Sequence, residues 1–208
     1  MLTKSNYVER FLKMRCAGDV LNAVGPISNC LKEITESMAI INKIRPLILN
    51  NPMKYSLIDL CAGNCLTSII AAHLFPLKHV VALDIRKKNQ DRFKPVTRFF
   101  YVEKNIYDKD VINMIFEHTI IISVHPCKIL AKRVIELYNK SKSPMFVMMP
   151  CCSGHISTIK NEDKYTAWCK HLYSLLDYSE ITLGKDDNCV SEKNVIITAI
   201  KKILINDV

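Results

Sequence analysis

Glycine is scarce in this chain, with five among 208 residues. No Gly-x-Gly-x-x-Gly run occurs, so the usual dinucleotide fingerprint is missing. Each glycine that is present therefore marks a place where the backbone needs one. No Cys-x-x-Cys pair occurs either, although there are nine cysteines. An odd number of that size does not suit a secreted disulfide framework. It suits reduced thiols, a few of which can form a catalytic or metal set. No apolar run approaches the ~20 residues of a membrane span. The opening residues, MLTKSNYVERFLKMR, contain no signal-peptide core. The expectation is a soluble, cytoplasmic protein.

What is abundant is positive charge. Lys and Arg number 29 against 20 Asp and Glu, a formal net charge of +9. Such a balance favours polyanionic partners, RNA or DNA. A solvated lysine-rich surface explains the count nearly as well.

Residues 1 to about 50 read as helices. Tyr7, Phe11, Leu12 and Met14 recur at helical spacing, as do Leu31, Ile34, Met38, Ile41 and Ile44. Ser28 or Asn29 can cap the second stretch, and Pro46 falls near its end. The segment NNPMKY then breaks the pattern. Beyond it, strands are expected at 56–62, 79–85, 98–104, 119–125, 144–150, 179–185 and 194–200. Helices are expected at 66–75, 87–93, 108–117, 127–141 and 161–177. This alternation predicts a parallel sheet covered on both faces. The last two strands are joined by DDNCVSEK, too short for a helix, so they must pair antiparallel.

In an open α/β sheet, ligands bind beyond the carboxyl ends of the strands. The loop after the first strand is Asp59-Leu60-Cys61-Ala62-Gly63-Asn64-Cys65. The second strand ends in Asp84, followed by Ile85, about 20 residues past the loop, where an acid can accept both ribose hydroxyls. After the third strand come Asn105 and Ile106, placed to flank an adenine.

A doubly wound sheet ending in a hairpin is the layout of class I S-adenosylmethionine (SAM)-dependent methyltransferases. The segment DLCAGNCLTS resembles their cofactor loop, acid-x-G-x-G-x-G, with Cys61 and Cys65 in place of the first and third glycines. SVHPCKILA and MFVMMPCCSG resemble the His-x-Cys and Cys-Cys segments of one branch, over roughly residues 55–155. That branch holds the eukaryotic tRNA acceptor-stem 2′-O-methyltransferases and uncharacterised relatives. The resemblance implies an α/β fold: a doubly wound, seven-stranded, mostly parallel sheet ending in an antiparallel hairpin. A helical extension over 1–52 precedes a methyltransferase domain over 53–208. It implies SAM as cofactor, held by Asp59, Cys61, Ala62, Gly63, Asn64, Asp84, Ile85, Asn105, Ile106 and Ser123. Cys65 adds a Cβ and a sulfur where the family has glycine, which can crowd the cofactor.

The fourth strand runs into Ser123-Val124-His125-Pro126-Cys127, and the fifth ends in Pro150-Cys151-Cys152. Asn/Asp-Pro-Pro-aromatic, the motif of many amine methylators, is absent. His125 is instead a candidate general base for a hydroxyl. Cys127, Cys151 and Cys152 converge if the two strands are neighbours. Packing, a thiolate nucleophile and a metal set all fit them. The adjacent pair lacks the usual ligand spacing, so no metal ligand is assigned.

Arg86, Lys87, Lys88, Arg92, Lys94 and Arg98 face a single acid, Asp91, in the segment after the ribose acid. They suit phosphate contacts to RNA, or a solvated face. The function expected is methyl transfer to RNA, with tRNA favoured and a ribose 2′-hydroxyl as the candidate atom. Methylation of a protein or small molecule, and a silent RNA- or partner-binding relative, are the alternatives.

Overall fold

The computed structural model describes residues 6–154, 163–177 and 180–201. Seven strands form one sheet: β1 (Ser56–Leu60), β2 (Val80–Asp84), β3 (Phe99–Glu103), β4 (Thr119–Val124), β5 (Met145–Met149), β6 (Glu180–Lys185) and β7 (Val195–Ile200). Their order is β3-β2-β1-β4-β5-β7-β6. The first five run parallel, and β7 pairs antiparallel with both β5 and β6. The expected hairpin-ended, doubly wound sheet is present. The strand order reverses between β1 and β4, and that switch point opens a crevice at their carboxyl ends.

Alternation along the strands feeds two cores. Leu57, Val80, Ala82, Ile120, Ile122, Val147 and Met149 point to one face. Ile58, Leu60, Leu83, Ile121, Phe146 and Met148 point to the other. Each fully buried branched side chain contributes roughly 1.5–3 kcal/mol. The first face is covered by α1 (Asn6–Leu12), α2 (Ala17–Val24), α3 (Cys30–Leu49) and α4 (Leu66–Leu74). The second is covered by α5 (Ile129–Lys140) and α6 (Lys164–Ser174).

Helix α3 decides how the site is built. It packs on β4 and β5 on one side and on α1 and α4 on the other. Ile34 to Ile41 are consequently all buried, polar residues included. Asn29 stands at its N-cap without a side-chain capping bond, and Pro46 lies inside the helix, three residues before its last. The β6–β7 turn is tied to the same helices. Tyr7 donates to Asp186 Oδ2 at 2.7 Å, and the Val190 N–H donates to Thr35 Oγ1 at 3.1 Å.

Two expected helices are not α-helices. The segment after β2 makes a short 3-10 turn, Gln90–Phe93, and the one after β3 another, Lys109–Met114. Only Phe93 and Val111 are buried within them. So little apolar surface cannot offset the cost of nucleating a helix. The first two residues of the helix expected at 161–177, and the first residue of the strand expected at 179–185, lie outside the described residues. No described helix is long and apolar enough to cross a membrane.

Candidate functional site

The loop between β1 and α4 makes three left-handed turns in five residues. Cys61, Gly63 and Cys65 have φ of 62°, 60° and 69°. These are the three positions that carry glycine in the acid-x-G-x-G-x-G pattern. The backbone thus keeps a conformation that suits glycine while two of the three positions carry cysteine. Hydrogen bonds hold it there. The Ala62 N–H donates to Leu83 O at 3.0 Å, the Cys65 N–H to Ala62 O at 2.8 Å, and the Gly63 N–H to Asp84 Oδ2 at 2.8 Å. Asn64 Oδ1 accepts from the Leu66 N–H at 3.1 Å, and its amide donates to Glu33 of α3.

Cys65 points away from the cavities at this edge. Its side chain is fully buried in the core between sheet and helices, and burial raises its thiol above the ordinary range. Among the described residues it lines none of the cavities at this edge. The feature that favoured a silent relative is therefore a core residue.

Two cavities flank the loop and share Cys61, Arg86 and His125 as walls. The first, about 360 Å³, is polar; Asp59, Gly63, Asn64, Glu33 and Glu36 line it. Asp59 is 2 % exposed, and its Oδ1 has no hydrogen-bond partner. Burial pushes its carboxyl up to about 7, with the nearby Asp84 charge adding to the rise and hydrogen bonding from Ser68 opposing it.

The second cavity, about 450 Å³, is more apolar and holds Leu83, Asp84, Ile85, Asn105, Ile106, Tyr107 and Leu130. Burial alone would raise Asp84. Hydrogen bonds from the Arg86 side chain and N–H and from Gly63 outweigh it and hold the carboxyl below its ordinary value. Arg86 Nε donates to Asp84 Oδ1 at 3.0 Å, from a side chain that is 60 % exposed. Ile85 is exposed, and Ile106 is buried. Asn105 closes a turn by accepting the Tyr107 N–H at 3.0 Å.

Ser123 departs from expectation. It is fully buried and donates to Leu60 O at 2.5 Å, a tie between β4 and β1. It lines neither cavity.

At the end of β4, His125 has φ of 60°, a strained turn for a residue with a side chain. Its N–H donates to Met149 O at 2.8 Å, which fixes it against β5. Its Nε2 lies 2.9 Å from Glu36 Oε1, at ion-pair distance but out of line for a hydrogen bond. Glu36 is 1 % exposed, and Lys32 Nζ approaches the same oxygen at 3.4 Å. This acid escaped sequence reading. The only signal was the polar trio Thr35-Glu36-Ser37 inside an apolar helix.

The three cysteines do converge. Sγ separations are 3.3 Å for Cys127–Cys151, 3.2 Å for Cys151–Cys152 and 3.7 Å for Cys152–Cys127. Burial raises the first two thiols, whereas the hydrogen bond with Cys151 holds Cys152 below the ordinary range. Of the six basic residues, Lys88 is half-buried and the others are exposed. Lys94 pairs with Asp91 at 2.7 Å, and the Arg92 guanidinium packs over Gly25.

A family described as "Methyltransferase domain" matches residues 29–159 of the chain. The chain belongs to this family. It is a methyltransferase, and its cofactor is SAM. The matched span starts at α3, so the helix that carries Glu36 lies within it. No curated protein matches the sequence. Solved structures share the fold at low identity. A Thermoplasma acidophilum protein aligns at TM-score 0.52 and 13 % identity, over 91 % of this chain and 99 % of its own. The plantazolicin methyltransferase BpumL, in complex with S-adenosylhomocysteine (SAH), aligns at 0.51 and 9 %, over 96 % and 95 %. A fibrillarin/Nop5p complex aligns at 0.52 and 13 %, over 77 % and 81 %.

Proposed function

We propose that this methyltransferase acts on RNA, with tRNA the favoured acceptor and a ribose 2′-hydroxyl the favoured atom. When bound, SAM supplies an electrophilic methyl group on a sulfonium. Everything else falls to the chain. The two cavities suit the two halves of the cofactor. Asp59, with its orphaned Oδ1, and the loop residues Cys61, Ala62, Gly63 and Asn64 form the half that takes an ammonium and carboxylate. Asp84 holds the ribose hydroxyls once Arg86 moves aside. Ile85, Asn105 and Ile106 border the adenine.

His125 stands where both cavities meet. With Nε2 turned toward Glu36, Nδ1 is the nitrogen left to take a hydroxyl proton. The buried Glu36 carboxylate then stabilises the imidazolium. The cysteine trio lines the same edge. The observation that carries the RNA reading is Arg86 on the wall of both cavities, followed in the chain by Lys87, Lys88, Arg92 and Lys94; Arg98 lies at the opposite edge of the sheet, where its carbonyl accepts the Val80 N–H, and takes no part in it. Phosphate contacts from such a face position a polymer without reading its sequence. The fibrillarin/Nop5p likeness is one of fold and adds no acceptor.

The test is incubation with methyl-labelled SAM and separate RNA, protein and small-molecule fractions of a cell extract. Label in RNA, recovered after nuclease digestion as a 2′-O-methylnucleoside, is expected. Label confined to protein or small molecules contradicts the reading.

A further inference from the structure

Three thiols from two loops meet at the carboxyl ends of β4 and β5. Packing, which explains most buried cysteines, does not explain these. Cys65, Cys169 and Cys189 are at most 1 % exposed and sit in the cores. Cys127 is exposed, and Cys151 and Cys152 are half-buried. They contact one another and the His125 carbonyl, which lies 3.6 Å from the Sγ atoms of Cys127 and Cys151. Neutral thiols are weak hydrogen-bond partners. Three of them gathered at a polar edge gain little from each other.

We propose that Cys127, Cys151 and Cys152 form a three-thiolate site for a thiophilic d10 cation, zinc being the ion that fits best. The sulfurs lie 3.2–3.7 Å apart. An ion bound to all three at the usual Zn–S length of ~2.3 Å spreads sulfurs to about 3.8 Å in a tetrahedron. Small rotations of the side chains supply the difference. The adjacent Cys151 and Cys152 lack the usual ligand spacing, but their sulfurs and that of Cys127, from the loop after another strand, already lie within reach of one ion. The fold, rather than a Cys-x-x-Cys loop, brings them together.

Charge supports the same reading. Binding one zinc ion displaces the three thiol protons and leaves a group of net charge −1. Lys128 and Lys193 stand near enough to favour the thiolate of Cys152, and they offset that charge. No fourth protein ligand joins the trio among the described residues. The fourth position is left to water or to a heteroatom of the acceptor. Cys151 lines a cavity with His125 and Lys193, and Cys127 lines the one with Asp84. An ion there sits beside the proposed transfer point.

This inference does not require the acceptor to be RNA, and its test is independent of turnover. The full chain is purified under reducing conditions, freed of metal, and titrated with Zn²⁺ and with Co²⁺. The expected result is one equivalent of zinc per chain and thiolate-to-cobalt charge-transfer absorption in the near ultraviolet. Cys127→Ser and Cys152→Ser each weaken zinc binding at least about a hundredfold. Cys16→Ser and Cys30→Ser, thiols outside the trio, leave it unchanged. Far-ultraviolet circular dichroism checks that each variant folds, and the wild-type cobalt spectrum decides the matter where one does not. A reduced, folded wild type that binds no zinc and gives no charge-transfer band overturns the proposal. So does zinc binding that survives loss of Cys127 and Cys152, or a disulfide among the three that persists in reductant.

Discussion

Glu36 Oε1 lies 2.9 Å from His125 Nε2, joining a helix near the start of the chain to the turn after β4. Glu36 is buried, and neither of its oxygens makes an in-line hydrogen bond. A buried acid is retained at such a cost where it stabilises a neighbouring cation. If His125 takes the acceptor proton, Glu36→Gln removes the counter-charge of the imidazolium. Turnover is expected to fall roughly tenfold or more, part of the ~10²–10⁴-fold that general-base catalysis supplies. His125→Ala should lose more, and the double variant should lose no more than His125→Ala alone. Strictly additive losses would show that the two residues act separately.

Asp59 ties stability to pH. Its carboxyl is raised from 3.8 to about 7 in the fold. The folded state therefore holds a proton that the unfolded state has released. The stabilisation from the protonated acid is complete below pH 3.8 and is lost as pH rises through about 7, a decline on the order of a few kcal/mol. Asp59→Asn should lack this decline. Urea unfolding at pH 4, 5, 6 and 7 measures the difference between the two proteins. If an ammonium of the cofactor meets this carboxylate, SAH binding near pH 6.5 also releases a proton from the wild type. Calorimetry in buffers of different ionisation enthalpy detects it.

Cys61 occupies a left-handed turn at φ 62°. Side chains in that region cost about 1 kcal/mol, and glycine does not carry the cost. Cys61→Gly should leave the protein equally stable or stabilise it by up to about 1 kcal/mol. Cys61→Val, with a branched Cβ, should destabilise it by about 1–3 kcal/mol. Chemical denaturation checks both. A clear loss with glycine would mean that the thiol packs better than its half-exposed position indicates.

Arg86 occupies both oxygens of Asp84, through Nε at 3.0 Å and Nη2 at 3.4 Å. Any ribose bound there must displace it. An ion pair with so exposed a partner is worth about 1 kcal/mol or less. Arg86→Ala should therefore bind SAH about two- to fivefold more tightly at low salt. The same variant should bind RNA more weakly if the basic face contacts phosphate. Fluorescence anisotropy at two salt concentrations reads the second effect.

The sheet was legible because its strands are short apolar runs at regular spacing, and a hairpin with no room for a helix leaves one pairing. The helices expected after β2 and β3 were not. KKNQDRF carries charge without an apolar stripe, and the turn Asn105–Asp108 takes up the chain before Lys109–Met114. The sequence expected Asp84 at the end of the second strand and His125 and the three cysteines just past the fourth and fifth, and that is where they lie in the fold. Glu36 could not be placed from sequence, since its partner is remote in the chain and burial on all sides of α3 hides the usual amphipathic pattern. Ser123 looked like a ligand contact for the opposite reason. It also lies near a strand end, but its hydroxyl bonds the Leu60 carbonyl of the neighbouring strand.

The central claim is that the cavities on either side of Arg86 together hold one molecule of SAM, anchored at Asp84. Calorimetric titration of the wild type and of Asp84→Ala with SAH tests it most directly. The account predicts one site per chain with micromolar affinity, weakened by about tenfold or more in the variant. Equal affinity in the two proteins, or no binding by a folded wild type, would contradict it.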